Sequence, residues 1–172
     1  NSAQAASPMK FVRLDPPGTL CHHEAVFDLL QKDQPGRFID VGCGQGSIAG
    51  KLIARGWRGI GVDFSPESIE AARRELAAEI ASDKMKIVQG DVLRMTGETL
   101  GESDLSMAMM VIEHVEDDVG FVRHLGSLVR PGGMVMIHGT PTAPELAWMD
   151  TRGDWTDGCI AVRNDHMDEI WR

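Results

Sequence analysis

Short apolar runs alternate with amphipathic stretches along the middle of the chain. The amphipathic stretches carry apolar residues at three- and four-residue spacing, which is the period of a helix. The clearest helix is predicted over residues 65–81, where Ser65 can cap the first turn and Pro66 suits its first position. The other predicted helices cover residues 20–33, 47–56 and 117–129. The apolar runs predict strands at RFIDV (37–41), RGIGVD (58–63), KMKIVQ (84–89), DLSMAMMVI (104–112) and MVMIHG (134–139).

Strands that alternate with helices predict a parallel sheet covered on both faces, with right-handed crossovers. We therefore predict an α/β fold, a doubly wound and mostly parallel sheet in a single domain, over residues 20–139. RPGG (130–133) is predicted as a turn before the last of these strands.

The regular pattern covers neither end of the chain. Residues 1–19 are predicted as a flexible N-terminal segment, and residues 140–172 as an irregular C-terminal flap in which only CIAV (159–162) is strand-like. This flap either packs on the domain as an irregular segment or covers a ligand as an apolar lid.

Composition narrows the function classes. The 172 residues have a net charge of −9 and a pI of about 5.0, so nucleic acid is disfavoured as a partner. No apolar run approaches the roughly 18 residues that would span a bilayer, and the first residues lack a signal-peptide pattern. The three cysteines are scattered and form no C-x-x-C pair, which indicates neither a zinc site nor a disulfide framework and favours a cytoplasmic location.

A glycine loop follows the first predicted strand in the stretch IDVGCGQGS (39–47). A phosphate-binding loop would need G-x-x-x-x-G-K-[ST], but Gln45 stands where the first glycine is required before Gly50 and Lys51. A dinucleotide loop would need G-x-G-x-x-G/A, and its third position falls on Ser47. The loop alone therefore indicates a ligand that approaches the backbone closely, without naming it.

Acidic residues follow the predicted strands. Ligands of open parallel sheets bind at the carboxyl ends of the strands, and these ends carry Asp40, Asp63 and Asp91 here. A carboxylate at Asp63 can accept both hydroxyls of a ribose, and Asp91 beside Val92 offers an acceptor and an apolar wall to a base. Three acidic side chains with no lysine in the loop suit a ligand that carries a ribose, an adenine and a positive charge. They do not suit a pyrophosphate.

Four segments in this order resemble the class I S-adenosylmethionine-dependent methyltransferases. They are FIDVGCGQGSIAGKLIARGWRGIGVDFSPESIEAARR, GDV, VIEHVED and LVRPGGMVMI, and the likeness runs from about residue 20 to residue 139. IEHVED resembles the small-molecule branch that includes ubiquinone-type O-methyltransferases. The resemblance implies a Rossmann-like fold, S-adenosylmethionine as cofactor with S-adenosylhomocysteine as product, and in-line methyl transfer to an O or N atom of a small-molecule metabolite.

The family also implies two strands after residue 139, the last usually antiparallel. The C-terminal strands are atypical or missing in this sequence, and whether they are absent, remodelled or outside it stays open.

The resemblance assigns the methionine part of the cofactor to the first strand and its loop. Asp40 would face the ammonium group, and the backbone near Met109 would meet the amino group as well. The glycine-loop residues that would let the backbone approach the cofactor are Gly42, Cys43, Gly44 and Gly46.

The adenosine part falls to the next two strand ends. By resemblance, Asp63 would bind the ribose hydroxyls, and Phe64 would lie beside the adenine. Asp91 would accept from the adenine amine, and Val92 would pack on the ring.

An oxygen acceptor needs a general base, and His114 is the first candidate because histidine titrates near neutral pH. Alternatively, His114 caps or packs under the helix that follows. Glu113 could orient His114 or contact substrate. The substrate-binding candidates are His22, His23 and His138.

We predict no catalytic metal. Small-RNA 3′-end methyltransferases hold a metal with E-x-x-E-H, and Met110 stands where the first glutamate is needed. Two other functions stay open, an NAD-dependent oxidoreductase of related fold and a non-catalytic module that binds S-adenosylmethionine. The sequence indicates neither the acceptor atom nor the oligomeric state.

Overall fold

The structure is a computed structural model that describes Phe27, Leu30, residues 34–138 and residues 160–163. Within these residues one sheet has the strand order β3-β2-β1-β4-β5-β6. The first five strands are parallel, and β6 is antiparallel to β5. The strands are β1 (Arg37–Val41), β2 (Arg58–Asp63), β3 (Met85–Gln89), β4 (Ser103–Met109), β5 (Val129–His138) and β6 (Ile160–Arg163). The α/β, doubly wound and mostly parallel sheet is thereby confirmed.

Five helices of the described part join these strands. They are α1 (Ser47–Ile53), α2 (Pro66–Glu75), α3 (Ala77–Ala81), α4 (Gly97–Leu100) and α5 (Asp118–Ser127). Two short 3-10 helices, Val92–Arg94 and Ile112–His114, follow β3 and β4. None of the helices in the described ranges is long and apolar enough to cross a membrane.

The predicted helix over residues 65–81 begins as expected but is divided in two. Ser65 is its N-cap, and the Ser65 hydroxyl accepts a hydrogen bond from the Ser68 amide at 3.2 Å. The helical backbone is interrupted at Leu76, with φ −106° and ψ 25°. Leu76 is buried, and its side chain lies directly over Gly46 and Gly50. This packing against α1 is a tertiary contact, which the helical period of the sequence does not show.

The predicted turn at residues 130–133 is wrong, because β5 already begins at Val129. Ser103 pairs with Val129, and the next pair joins Leu105 to Met134, so residues 130–133 form a bulge within the strand. Gly132 lies in this bulge with φ +77°, a conformation that favours glycine. The Pro-Gly-Gly sequence therefore bends a strand and does not separate two elements.

The edge of β5 is paired with β6. Ile160 lies opposite Ile137, and Arg163 lies opposite Met134. The strand-like stretch predicted at 159–162 thus forms a strand shifted by one residue, with the antiparallel direction that the family implies. The rest of the predicted flap, and the predicted N-terminal segment, lie outside the described residues.

Both faces of the sheet are buried, as expected of parallel strands joined by helices. On one face, Ile39 and Val41 of β1 belong to a cluster with Phe121 and Leu125 of α5. On the other face, Phe38 belongs to a cluster with Leu52 of α1 and its neighbours. These two layers hold the strands so that the carboxyl ends of β1 to β4 open at one edge of the sheet, which we call the carboxyl edge.

Replacing Ser106 by alanine is expected to raise the free energy of unfolding by about 1 kcal/mol. Ser106 lies in β4 with no exposed surface, and its hydroxyl has no hydrogen-bond partner among the described residues. Alanine removes this unpaired polar group and leaves the strand pairing intact. Denaturant unfolding of both chains measures the difference.

Ser103 provides the control on the same strand. Its buried hydroxyl donates to the Leu128 carbonyl at 2.7 Å, so Ser103→Ala should lower the free energy of unfolding by about 1 kcal/mol. Equal shifts of the two variants in the same direction would contradict this account of Ser106.

Candidate functional site

The glycine loop, residues 42–46, joins β1 to α1 in a conformation that requires glycine. Gly42, Gly44 and Gly46 have φ values of +68°, +53° and +81°. Residues with a Cβ rarely adopt this left-handed region. The amides of Gly42 and Cys43 both donate to the Val62 carbonyl, at 2.8 and 3.1 Å, and so attach the loop to β2. The alternation of glycines in the sequence thus reflects three positive φ angles in one turn.

The three glycines differ in what faces them. A Cβ at Gly42 would collide with Val111, and one at Gly46 would collide with Leu76. A Cβ at Gly44 would have no atom of the described residues within 4 Å. Gly42 and Gly46 therefore serve close packing, whereas Gly44 borders open space into which a ligand can come.

Asp63, at the end of β2, connects this open space to the next helix. One carboxylate oxygen, Oδ2, accepts from the Gly44 amide at 2.9 Å, and Oδ1 accepts from the Ser65 amide at 2.9 Å. Each carboxylate oxygen can accept more than one hydrogen bond, so both keep capacity for hydroxyl donors. The side chain is buried and held in place by two backbone groups before any ligand binds.

Asp40, at the end of β1, lies where a negative charge is unfavourable. It is 3% exposed, and burial together with the nearby Asp63 carboxylate raises the pKa of Asp40 to about 8. The neutral acid therefore predominates at neutral pH in the free chain. A cation beside it would favour ionisation.

Cys43 lies near these two acids, and its thiol is unreactive. Burial and the charges of Asp40 and Asp63 raise the pKa of the Cys43 thiol. A thiol that stays protonated is a poor nucleophile. Its place in the candidate site is therefore that of a small buried side chain under the loop.

Asp91 has a structural role in the described contacts. Its Oδ1 accepts from the Leu93 amide at 3.0 Å and caps the 3-10 helix, and its Oδ2 lies 3.4 Å from the Arg94 Nε. Val92, the first residue of that helix, is buried. Acceptance from an adenine amine by Asp91 stays a prediction.

Three large apolar side chains of the described part are exposed, and each follows a different strand at the carboxyl edge. Phe64 after β2 is 80% exposed, Leu93 after β3 is 47% exposed, and Met110 after β4 is 52% exposed. Met110 also has φ +58°, which is uncommon for a residue other than glycine. Exposed apolar side chains at the edge where ligands of such sheets bind are suited to an apolar or aromatic ligand.

The predicted catalytic residues follow β4. His114 ends the second 3-10 helix and is exposed, with its amide donating to the Val111 carbonyl at 2.9 Å. For Glu113 and His138 the structure describes the backbone alone, and His22 and His23 lie outside the described residues. The sequence did not indicate a role for His124. Its Nε2 lies 2.8 Å from the Val92 carbonyl oxygen, and because this contact joins residues far apart in the chain, local sequence patterns do not show it.

Comparison with known proteins assigns this arrangement to a family. A family model described as a methyltransferase domain matches residues 39–137, more than half of the chain. The chain belongs to this methyltransferase family. The resemblance noted from the glycine loop and the strand-end acids is thereby confirmed.

Curated relatives agree with the family match. The chain is 40% identical over 99 residues to a ubiquinone biosynthesis O-methyltransferase from Methylocella silvestris, covering 58% of this chain and 38% of the relative. It is 33% identical over 99 residues to the protein of the same name from Vibrio parahaemolyticus, covering 58% and 41%. The chain thus spans about two fifths of the length of these relatives.

Solved structures confirm the fold. One is an amino pentose methyltransferase from Micromonospora echinaspora bound to S-adenosylmethionine, with a TM-score of 0.58 and 20% identity over 72% of this chain and 51% of that chain. Another is a [4+2]-cyclase, also with a TM-score of 0.58 and 20% identity, covering 69% and 43%. Since the same fold carries a methyltransferase and a cyclase, fold alone does not decide the reaction.

A second family model, described as an L,D-transpeptidase catalytic domain, matches residues 108–172. This match covers less than half of the chain and overlaps the methyltransferase match over residues 108–137. It extends over the C-terminal residues that the methyltransferase match leaves out.

Proposed function

We propose that this methyltransferase domain binds S-adenosylmethionine and transfers its methyl group to an oxygen atom of a small molecule. The observation that carries the proposal is the open space at Gly44, beside the buried Asp63 carboxylate that accepts from the Gly44 amide. These residues fit the cofactor, because carboxylate groups can accept hydrogen bonds from its ammonium group and from its ribose hydroxyls. When bound, the cofactor supplies an activated methyl group and a neutral thioether leaving group.

This chain's residues bind and align the two ends of the cofactor. Asp63 accepts from the ribose hydroxyls with the capacity that the Gly44 and Ser65 amides leave, and Asp40 faces the ammonium. Phe64 and Val92 flank the adenine, and Asp91 accepts from its amine. The glycine loop and the backbone near Met109 hold the methionine part. In-line displacement requires alignment above all, and rigid loop and strand ends provide it.

The two other functions are less well supported. A dinucleotide would bring two phosphates close to the Asp63 carboxylate at the carboxyl edge, where like charges repel. A non-catalytic module has no feature in its favour beyond those shared with an enzyme of this family. Calorimetry should detect S-adenosylhomocysteine binding and no comparable binding of NAD. Tight NAD binding would contradict the proposal.

An oxygen acceptor is supported by the relatives, both named O-methyltransferases. A hydroxyl must lose its proton as the methyl group arrives, and His114 is the proposed base because it is exposed beside the carboxyl edge. Within the same proposal, Glu113 orients His114, and His138, His22 and His23 contact the substrate. The small-molecule substrate and the cytoplasmic location are likewise parts of this proposal.

His114→Ala is expected to lower kcat by about 100-fold while leaving the affinity for S-adenosylhomocysteine unchanged. The reason is that the imidazole takes the acceptor proton but does not touch the cofactor. Transfer of labelled methyl groups to a panel of hydroxylated aromatic acceptors measures kcat, and calorimetry measures affinity. His138→Ala is the control, with a smaller expected effect on kcat. An unchanged kcat in His114→Ala would remove the base assignment without affecting the cofactor site.

As a second candidate function, we propose that the C-terminal residues carry part of a thiol-dependent transpeptidase unit. The transpeptidase match covers residues 108–172. Of the three cysteines in the sequence, Cys159 alone falls within this range. Cys159 directly precedes Ile160, which pairs with Ile137, the residue before His138. A cysteine and a histidine are a known nucleophile and base pair for acyl transfer.

In this reaction the Cys159 thiolate attacks a peptide carbonyl, and the departing amine takes a proton from His138. An acceptor amine then attacks the thioester and gives a proton to His138, and the Cys159 thiolate leaves, which restores the enzyme. Incubation with a peptide that contains adjacent L and D residues should add the acyl mass at Cys159, and Cys159→Ala should lose it. Cys43→Ala is the control and should keep the adduct. Absence of any adduct on the unaltered chain contradicts this second candidate.

A further inference from the structure

His124 makes a contact that joins α5 to the turn after β3. Its Nε2 lies 2.8 Å from the carbonyl oxygen of Val92, across 32 residues of sequence. Since a carbonyl can only accept, the hydrogen must be on Nε2, and the imidazole is the donor. The side chain is half-buried, whereas Phe121 and Leu125 of the same helix are buried in the core.

The turn that receives this hydrogen bond carries two of the proposed adenine contacts, Asp91 and Val92. The Val92 carbonyl also accepts from the Met95 amide at 2.9 Å, which closes the 3-10 helix. Upstream, the Gly90 amide donates to the Asp63 carbonyl at 2.9 Å. The turn is therefore attached to the ribose side of the site through Asp63 and to the body of the domain through His124.

We propose that His124 is a positioning residue that sets the selectivity of this domain for the adenine ring. By holding the Val92 carbonyl, it fixes the distance of the neighbouring Asp91 carboxylate from the exocyclic amine. This inference rests on the proposed function, because it concerns the same cofactor site. His124 itself does not contact the cofactor.

Selectivity separates positioning from general support of the fold. S-adenosylhomocysteine carries the exocyclic amine, and S-inosylhomocysteine carries an oxygen in its place. Loss of stability alone would weaken both ligands equally, whereas a displaced Asp91 weakens only the ligand with the amine. The measured quantity is therefore the ratio of the two dissociation constants, determined by calorimetry.

For the unaltered chain, we expect S-adenosylhomocysteine to bind at least about tenfold more tightly than S-inosylhomocysteine, the equivalent of one hydrogen bond. His124→Ala should bring this ratio close to one. His124→Gln, whose amide can still donate, should recover part of it and serves as the readout if the alanine variant does not fold. Ser127→Ala is the matched control. It removes a hydrogen bond to the His124 backbone carbonyl in the same helical turn and should keep the full ratio.

The outcomes distinguish the proposed function from the proposed role of His124. If the unaltered chain binds neither ligand, the proposed function falls, and this inference falls with it. If the unaltered chain discriminates and the His124 variants discriminate equally well, the inference is wrong and the proposed function stands. A ratio that falls to the same extent in Ser127→Ala also overturns it, because the effect would then belong to the helix end.

Discussion

Gly44→Val is expected to weaken S-adenosylhomocysteine binding by at least about 100-fold while the sheet stays folded, a loss of about 2.7 kcal/mol in binding free energy. A Cβ at this position meets no atom of the described part of the chain within 4 Å, so the valine methyl groups project into the space proposed for the cofactor. The protein itself loses about 1–2 kcal/mol of stability, because valine disfavours the φ of +53°. Calorimetry and thermal unfolding measure the two effects separately.

Gly132→Val is the matched control for this strain. Gly132 has φ +77°, and an added Cβ there would likewise meet no atom within 4 Å among residues 34–138 and 160–163, but Gly132 lies in the bulge near the start of β5. The start of β5 is at the opposite edge of the sheet from the glycine loop. This variant should lose similar stability and keep its affinity for the cofactor. Equal losses of affinity in both variants would mean that strain, and not occupied space, explains the effect at Gly44.

Asp40→Asn is expected to abolish a pH dependence in both stability and cofactor binding. In the folded chain the pKa of Asp40 is raised from 3.8 to about 8, so the folded state keeps a proton that the unfolded state has lost. The stability linked to this proton is fully present below the ordinary pKa and is lost as pH rises through about 8. The free energy of unfolding should therefore fall over this range in the unaltered chain and fall less in Asp40→Asn.

Binding should show the opposite trend. A cationic group beside Asp40 favours the carboxylate, so binding releases a proton and becomes tighter as pH rises, by up to about tenfold per pH unit below the pKa. Asp40→Asn should bind more weakly and lose this dependence. Calorimetry between about pH 5.5 and 8, in buffers of different ionisation enthalpy, measures affinity and proton release together. Tighter binding at low pH, or proton uptake, would contradict the role of Asp40.

Asp104→Asn is the control because the pKa of Asp104 is shifted in the opposite direction from that of Asp40. Asp104 lies near the start of β4, away from the glycine loop. Partial burial disfavours its charge, but hydrogen bonds from the Arg37 amide, at 2.6 Å, and from Arg130 lower the pKa of Asp104 overall. Its contribution to stability is present above the ordinary pKa and is lost as pH falls through the lowered one. Asp104→Asn should therefore change stability in acid and leave the pH dependence of cofactor binding intact.

Local patterns determined much of the fold. The bounds predicted for β1 and β2 agree with the structure, and the β3 prediction is one residue too long, because short apolar runs between turn residues specify strands directly. The Ser65 cap is also local, since donor and acceptor are three residues apart. The same proximity explains the glycine loop, where alternate glycines indicate positive φ angles. The position of acids after successive strands then indicated a ligand edge, because parallel strands end together.

What the sequence could not show depends on pairs of residues distant in the chain. Leu76 interrupts its helix where its side chain packs on the glycine loop, and residues 130–133 bulge because β5 must stay in register with β4. The raised pKa of Asp40 arises from burial and from Asp63, and the hydrogen bond of His124 depends on how α5 lies over the turn at Val92. The sequence by itself therefore determined the elements and the kind of ligand, because periodicity, caps and turns act over a few residues. Only the tertiary structure decided which acid is costly to ionise and which histidine contacts the turn at Val92, because burial and long-range contacts exist only after the chain has folded.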